Sequence, residues 1–170
     1  MVIDSKILDE LTAQAQSSPR LRIHYDMRTT PADGSQRMLN ALEPGTVLQI
    51  HRNLATSGTV VILRGSARQY FYDDNGNVDE VVTITTSSDS LAMNVEKARW
   101  HRIESLESGT VILECKDGAN KSLGEDEFFI NVLQQRIARI RERLLTPEYI
   151  FRLWSGQVPL DLIEEAMKGI

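Results

Sequence analysis

Between residues 36 and 115 the chain is cut into short apolar runs, each about six residues long and each closed by a turn signal. This pattern constrains the fold more than any other feature. Glu43-Pro44-Gly45, Gly65, Asp73-Asp74-Asn75-Gly76 and Glu107-Ser108-Gly109 separate runs rich in Val, Ile and Thr. Runs this short cannot be amphipathic helices, and their β-branched content suits a pleated surface. Asn75-Gly76 supplies the positive φ angles that a tight hairpin needs. Strands are expected at Arg20–Tyr25, Arg37–Leu42, Thr46–His51, Thr59–Leu63, Ala67–Tyr72, Val78–Thr85, Leu91–Val95, Arg99–Ile103 and Thr110–Cys115. Regularly spaced strands of this kind close into a β-sandwich or barrel.

Helical periodicity flanks the β-region. Residues 4–16 place Ile7, Leu8 and Leu11 on one face, with Asp4 or Ser5 able to cap the first turn. After a polar stretch, Phe128 and Phe129 are expected as a last strand or as an anchor into the core. From Asn131 the apolar residues Leu133, Ile137, Ile140 and Leu144 recur at helical spacing. Thr146-Pro147 then opens a second short helix and Pro159 a third. The organisation read from this is an N-terminal helix over 1–19, a β-barrel over 20–130 and a three-helix extension over 131–170. Phe151, Trp154, Leu160, Ile163 and Met167 are too apolar to face water. They are expected to cover the barrel or a second copy of the chain, which makes a homodimer the expected assembly.

Charge and cysteine content remove several function classes. The 170 residues carry a net charge of −5, the wrong sign for a general nucleic-acid binder. The arginine-bearing helix from residue 131 is diluted by Glu142 and reads as a solvated face. Cys115 is the single cysteine, so no internal disulfide and no multi-cysteine zinc site can form. It sits in an apolar run and reads as packing. The first residues are acidic where a secretory signal would be basic, and no run reaches membrane-span length. A cytoplasmic protein without nucleic-acid or membrane partners is expected. His24 reads as an edge-strand or surface histidine.

The stretch Gly45–Gly65 carries a resemblance. Gly45, His51, Asn53, Gly58 and Gly65 overlay the first cupin motif, G-x5-H-x-H-x4-E-x6-G, and Glu96, Ala98 and His101 overlay the second, P-x-G-x-x-H. Gln36 to Gly45, His51-Arg52, Val61 to Gly65, Asp73 to Gly76 and Trp100-His101 resemble the WbuC family of cupin-fold metalloproteins, within the RmlC-like cupin superfamily. The resemblance implies a mainly β, double-stranded β-helix (jelly-roll) barrel over about residues 20 to 130. It further implies a small-molecule ligand, such as a carbohydrate or sugar-nucleotide precursor of polysaccharide biosynthesis.

It also implies a divalent metal such as Zn, Fe, Mn or Ni, held by histidines and a glutamate. An enzyme of this kind would be a metal-assisted isomerase, epimerase or oxygenase. Here only His51 and His101 stand at ligand positions. Asn53 replaces the second histidine and offers a weak amide oxygen, Gly58 replaces the glutamate, and the proline and glycine of the second motif are absent. Glu114 and Glu96 are the carboxylates in reach by sequence. Two readings therefore stand: a metal on His51, His101 and Asn53, or a metal-free pocket. In either, strand alternation puts Gln49 beside His51 and Arg99 beside His101, so Gln49, Arg99 and Arg64 are the candidate ligand-binding residues. The competing class is a non-catalytic scaffold that binds a ligand, or a protein partner through its helical extension.

Overall fold

The computed structural model describes residues 2–119, 122–144, 146, 147 and 150. The chain divides into two units, Met1–Phe129 and Ile130–Ile170. Helix α1 (Ser5–Ser17) is followed by eight strands: β1 (Arg22–Asp26), β2 (Ser35–Leu42), β3 (Gly58–Arg64), β4 (Ser66–Tyr72), β5 (Val78–Thr85), β6 (Ala92–Val95), β7 (Trp100–Ser105) and β8 (Thr110–Asp117). A 3-10 turn over Glu125–Glu127 precedes helix α2 (Phe129–Leu144). The second and third helices expected in the extension fall mostly outside the described residues, as do Phe151, Trp154, Leu160, Ile163 and Met167. Among the described residues, no helix is long and apolar enough to cross a membrane.

Two antiparallel sheets form the first unit. One runs β1-β2-β8-β3-β6 and the other β5-β4-β7. Alternation along each strand sends one set of side chains between the sheets. Leu42, Val60, Ile62 and Ile112 from the larger sheet meet Ala67, Phe71 and Ile84 from the smaller in one buried cluster. The opposite parity of the larger sheet exposes Leu39, Ala41 and Val111 on its outer face, and α1 covers them with Leu8, Leu11 and Ala15. Each of the two leucines gains on the order of 2 kcal/mol by this burial. Asp4 caps the helix by accepting from the Ile7 amide at 3.1 Å.

Turn chemistry follows the sequence closely. Asp73 accepts from the amides of Asn75 and Asn77, and Gly76 takes φ +86° between β4 and β5. Gly65 (φ +79°) joins β3 to β4 across the two sheets. A Cβ there would stand 2.9 Å from the Thr110 Cα and 2.6 Å from its hydroxyl. Glu43, the residue after β2, is buried and accepts from the Ser108 hydroxyl at 2.6 Å and the Gly109 amide at 2.9 Å, pinning the β7–β8 turn.

One expected strand is not a strand. Residues 46–51 have the right composition but lie on no ladder. Their backbone polar groups go elsewhere: the Thr46 amide turns back to the Glu43 carbonyl, and the Val47 carbonyl accepts from the Arg22 guanidinium at 2.6 Å. Only His51 forms β-bridges. Without a ladder there is no pleat to hold alternation, which decides where Gln49 goes. Phe128 and Phe129, open between strand and anchor, divide the two roles: Phe128 forms an isolated antiparallel bridge with His51, and Phe129 is the anchor. Phe129 is buried with its ring edge-on to Trp100 at 5.2 Å.

Gly65→Ala is expected to cost at least ~2 kcal/mol in urea unfolding, because left-handed strain adds to a clash with backbone. Gly118 shares the left-handed conformation (φ +87°) but has open space around it. Gly118→Ala should cost only about 1 kcal/mol, the strain alone. Equal costs for both would show that the Thr110 contact does not limit position 65.

Candidate functional site

A cavity of about 300 Å³ opens between the two sheets. Its walls are the inward-facing residues of β2, β3, β7 and β8, and its mouth is formed by β1 and by the strap at residues 48–53. His51, His101 and Asn53 all line it. They come together through backbone pairing. β7 is the edge of the smaller sheet, and the strap closes on that edge. The His51 amide donates to the His101 carbonyl at 3.0 Å and the His101 amide to the His51 carbonyl at 2.8 Å. On its other side the strap is held by Arg52 N–H donating to the Glu127 carbonyl and Phe129 N–H donating to the Ile50 carbonyl. Residues paired across an antiparallel ladder point their side chains to the same face. The two imidazoles therefore sit with ring centroids 4.4 Å apart, tilted by 52°.

Each ring is pinned by its own chain. His51 Nδ1 lies 3.1 Å from the Gln49 carbonyl and His101 Nδ1 lies 2.8 Å from the Arg99 carbonyl. A carbonyl only accepts, so Nδ1 carries the proton in both rings and Nε2 keeps its lone pair. Burial holds both imidazoles neutral. It lowers the pKa of His51, and together with the neighbouring His51 ring it pushes His101 down to about 4. The pair thus presents two hydrogen-bond acceptors to the cavity at neutral pH.

Sequence reasoning missed several other lining residues. Gln69 on β4 is 1% exposed, and its amide nitrogen has no hydrogen-bond partner. It lies on the inward face with Ala67 and Phe71, a polar residue where the pattern calls for an apolar one. That interruption was the available signal. His24, read as a surface residue, is exposed but stands at the mouth. Of the two carboxylates in reach by sequence, Glu114 on β8 lines the cavity and Glu96 does not; Glu114 pairs with Lys116, which was not expected there, at 2.9 Å, and Asn40 Nδ2 also donates to it at 3.3 Å.

The three residues expected to bind ligand lie outside the cavity lining. Gln49 is exposed, and Leu48 lines the cavity instead, because the strap does not alternate. Arg64 pairs with Asp9 of α1 at 2.7 Å. Arg99 precedes β7, pairs with Asp79 and Glu80 at 3.2 and 2.7 Å, and lies over the Phe71 ring at 4.0 Å. Ala98 is informative in another way. It takes φ +63°, a conformation that suits glycine, at the position where the second cupin motif has glycine. Its amide donates to the Asn53 carbonyl at 2.8 Å, so the turn before β7 and the strap are joined there as well.

Comparison with known proteins agrees with this architecture. A family model described as a domain of unknown function (DUF6016) matches residues 3–84. No curated protein matches. Among solved structures, oxalate decarboxylase of Bacillus subtilis (its SENS161-164DSSN mutant) is similar with a TM-score of 0.50 and 16% identity, over 83% of this chain and 34% of that one. The chain thus spans about a third of that enzyme's length. KdgF of Halomonas sp. is similar with a TM-score of 0.49 and 12% identity, over 61% of this chain and 84% of that one. A further structure of the Bacillus subtilis decarboxylase, concerned with its Mn(II) centres, gives a TM-score of 0.46 and 18% identity, over 83% and 34%. The likeness to the SENS161-164DSSN decarboxylase structure shows the fold, a cupin-type β-barrel.

The donor set does not fit a tightly held metal. A catalytic divalent ion takes about three protein ligands of suitable charge and softness. His51 and His101 supply two neutral nitrogens. Asn53 is a weak amide donor, position 58 has no side chain, and Glu114 is already engaged by Lys116 and Asn40. Among the described residues no three His, Cys, Asp or Glu side chains are grouped for metal binding.

Protein purified without chelator is therefore expected to carry less than about a tenth of an equivalent of any transition metal by elemental analysis. A stoichiometric ion that is lost in His101→Gln would contradict this reading. The buried neutral imidazole also sets a pH dependence. The unfolded chain takes up a proton near pH 6.5, and folded His101 does not until about 4. Its contribution to stability is complete above pH 6.5, falls as pH drops towards 4, and changes no further below that. The loss is on the order of 3 kcal/mol. Urea midpoints of wild type and His101→Gln across pH 4 to 7.5 read it directly, and parallel curves would refute it.

Proposed function

We propose that this is a small-molecule-binding cupin-fold protein whose cavity takes a hydroxylated ligand of monosaccharide size. Carbohydrates or sugar-nucleotide precursors of polysaccharide biosynthesis are the class in view, and the reading requires no resident metal. The observation that carries it is a set of polar groups beside an apolar stretch of the cavity wall. Two neutral imidazoles offer Nε2 as acceptors, and the buried Gln69 amide lacks a partner. Leu42, Val60, Ile103 and Ile112 supply the apolar surface between them.

This combination suits a sugar. Hydroxyl groups donate to imidazole nitrogens and accept from an amide, while the C–H faces of the ring pack on aliphatic side chains. Few, well-placed polar groups in an apolar cleft are the usual form of a small-molecule site, and about 300 Å³ lies at the small end of such pockets. An unpartnered buried amide costs about 1 to 3 kcal/mol, which a ligand oxygen would recover on binding. Low histidine pKa values help here, because a protonated ring would lose its acceptor.

The test is a thermal-shift screen of neutral and charged monosaccharides and their derivatives against the full chain. At a hundred times its Kd, a true ligand raises stability by about 2.7 kcal/mol. His51→Gln with His101→Gln should abolish that shift without lowering the melting temperature of free protein at pH 7.5 by a comparable amount. If no hydroxylated compound shifts the melt, or if the double variant responds as wild type does, the reading fails.

A further inference from the structure

The cavity is not electrically balanced, and the imbalance lies at one end. Four charged side chains line it: Arg20, Arg22, Glu114 and Lys116. Glu114 and Lys116 neutralise each other at 2.9 Å. Arg20 and Arg22 have no ion pair among the described residues, although the chain as a whole is acidic and five other cation–carboxylate pairs form elsewhere. Arg22 commits one N–H to the Val47 carbonyl at 2.6 Å, which fixes the guanidinium at the mouth beside the strap. Among the described residues the rest of its five-donor fork has no hydrogen-bond partner in the cavity. Both guanidiniums line the same cavity, and burial first, then the charge of Arg20, lower the Arg22 pKa. Two like charges held together at a cavity mouth without a carboxylate are an anion site in waiting.

We infer that the ligand carries an anionic group, a carboxylate or a phosphate, seated between Arg20 and Arg22 at the mouth while its hydroxylated body reaches the histidine pair and Gln69. This deepens the reading above and rests on it for the body of the ligand, but not for the anion. Two positions in the chain make the arrangement. Leu21 takes φ +54°, so the backbone turns at the entry to β1. Arg22 pairs with Leu42 in the β1–β2 ladder, which aligns it with an inward-lining residue of β2. His24, two residues along the same strand, lines the same cavity and adds a ring nitrogen there.

Isothermal titration of the full chain at low salt with glucose, glucuronate, glucose 6-phosphate and inorganic phosphate tests the assignment. At least one anionic sugar is expected to bind ten-fold or more tightly than glucose. Which one does so distinguishes carboxylate from phosphate. Arg20→Gln with Arg22→Gln should remove that advantage and leave glucose affinity and the circular-dichroism melt in place. An anionic sugar no tighter than glucose, or an advantage that survives in the double variant, overturns the inference and leaves the neutral-ligand reading standing. Inorganic phosphate that binds and is lost in the double variant, with no sugar binding, supports the anion site and sinks the carbohydrate reading. Silence from all four probes overturns the assignment of the arginine pair.

Discussion

The site depends on one reciprocal pair of backbone hydrogen bonds, between His51 and His101. Everything else about the two rings follows from it. The pair closes the free edge of β7, so the strap becomes one wall of the cavity rather than a loop in solvent. It puts both side chains on the same face, which sets the 4.4 Å separation of the imidazoles. It also brings the carbonyls of Gln49 and Arg99, each two residues before its histidine, into place for Nδ1. Phe129 and the carbonyl of Glu127 hold the strap from behind, and Arg52 lies over Trp100 at 4.2 Å. A bond of this type contributes only about 1 kcal/mol. Its value lies in geometry, because the strap has no ladder of its own.

The larger sheet divides its two faces between stability and function. One parity of β2 and β8, with Leu39, Ala41 and Val111, is dry and covered by α1. The other parity begins as core, with Leu42 and Ile112, and becomes polar towards the mouth, with Asn40, Glu114 and Lys116. The change occurs within single strands, over two residues of rise. A β-sheet allows this because side chains of one parity are independent of those of the other. The Gln69 amide is the exception inside the apolar half, and a buried donor without a partner is uncommon enough to need a reason.

The fold was largely legible in the sequence. Asn75-Gly76, Gly65 and Glu107-Ser108-Gly109 dictate chain reversals by their own chemistry, and β-branched runs between them have few alternatives. The cupin-like spacing placed His51 and His101 in one site, since the barrel fixes which strand ends meet. What failed was alternation applied to residues 46–51. That stretch has strand composition but no partner strand, so Leu48 rather than Gln49 turns inward. Arg64 and Arg99 were drawn to the site by their charge, yet Asp9, Asp79 and Glu80 claim them. Long-range pairing of charges leaves no local trace in a sequence. The same holds for Arg20 and Arg22, whose interest comes from the lack of any such pairing among the described residues.

The central claim is that two neutral imidazoles, both protonated at Nδ1, face the cavity with open Nε2 atoms. Two-dimensional ¹⁵N–¹H correlation of the histidine side chains at pH 7 tests it most directly. The expected spectrum shows His51 and His101 as the Nδ1–H tautomer, each with an unprotonated Nε2, and with no change for His101 until the pH nears 4. An imidazolium pattern for either residue at pH 7, or a proton on Nε2, would contradict the account.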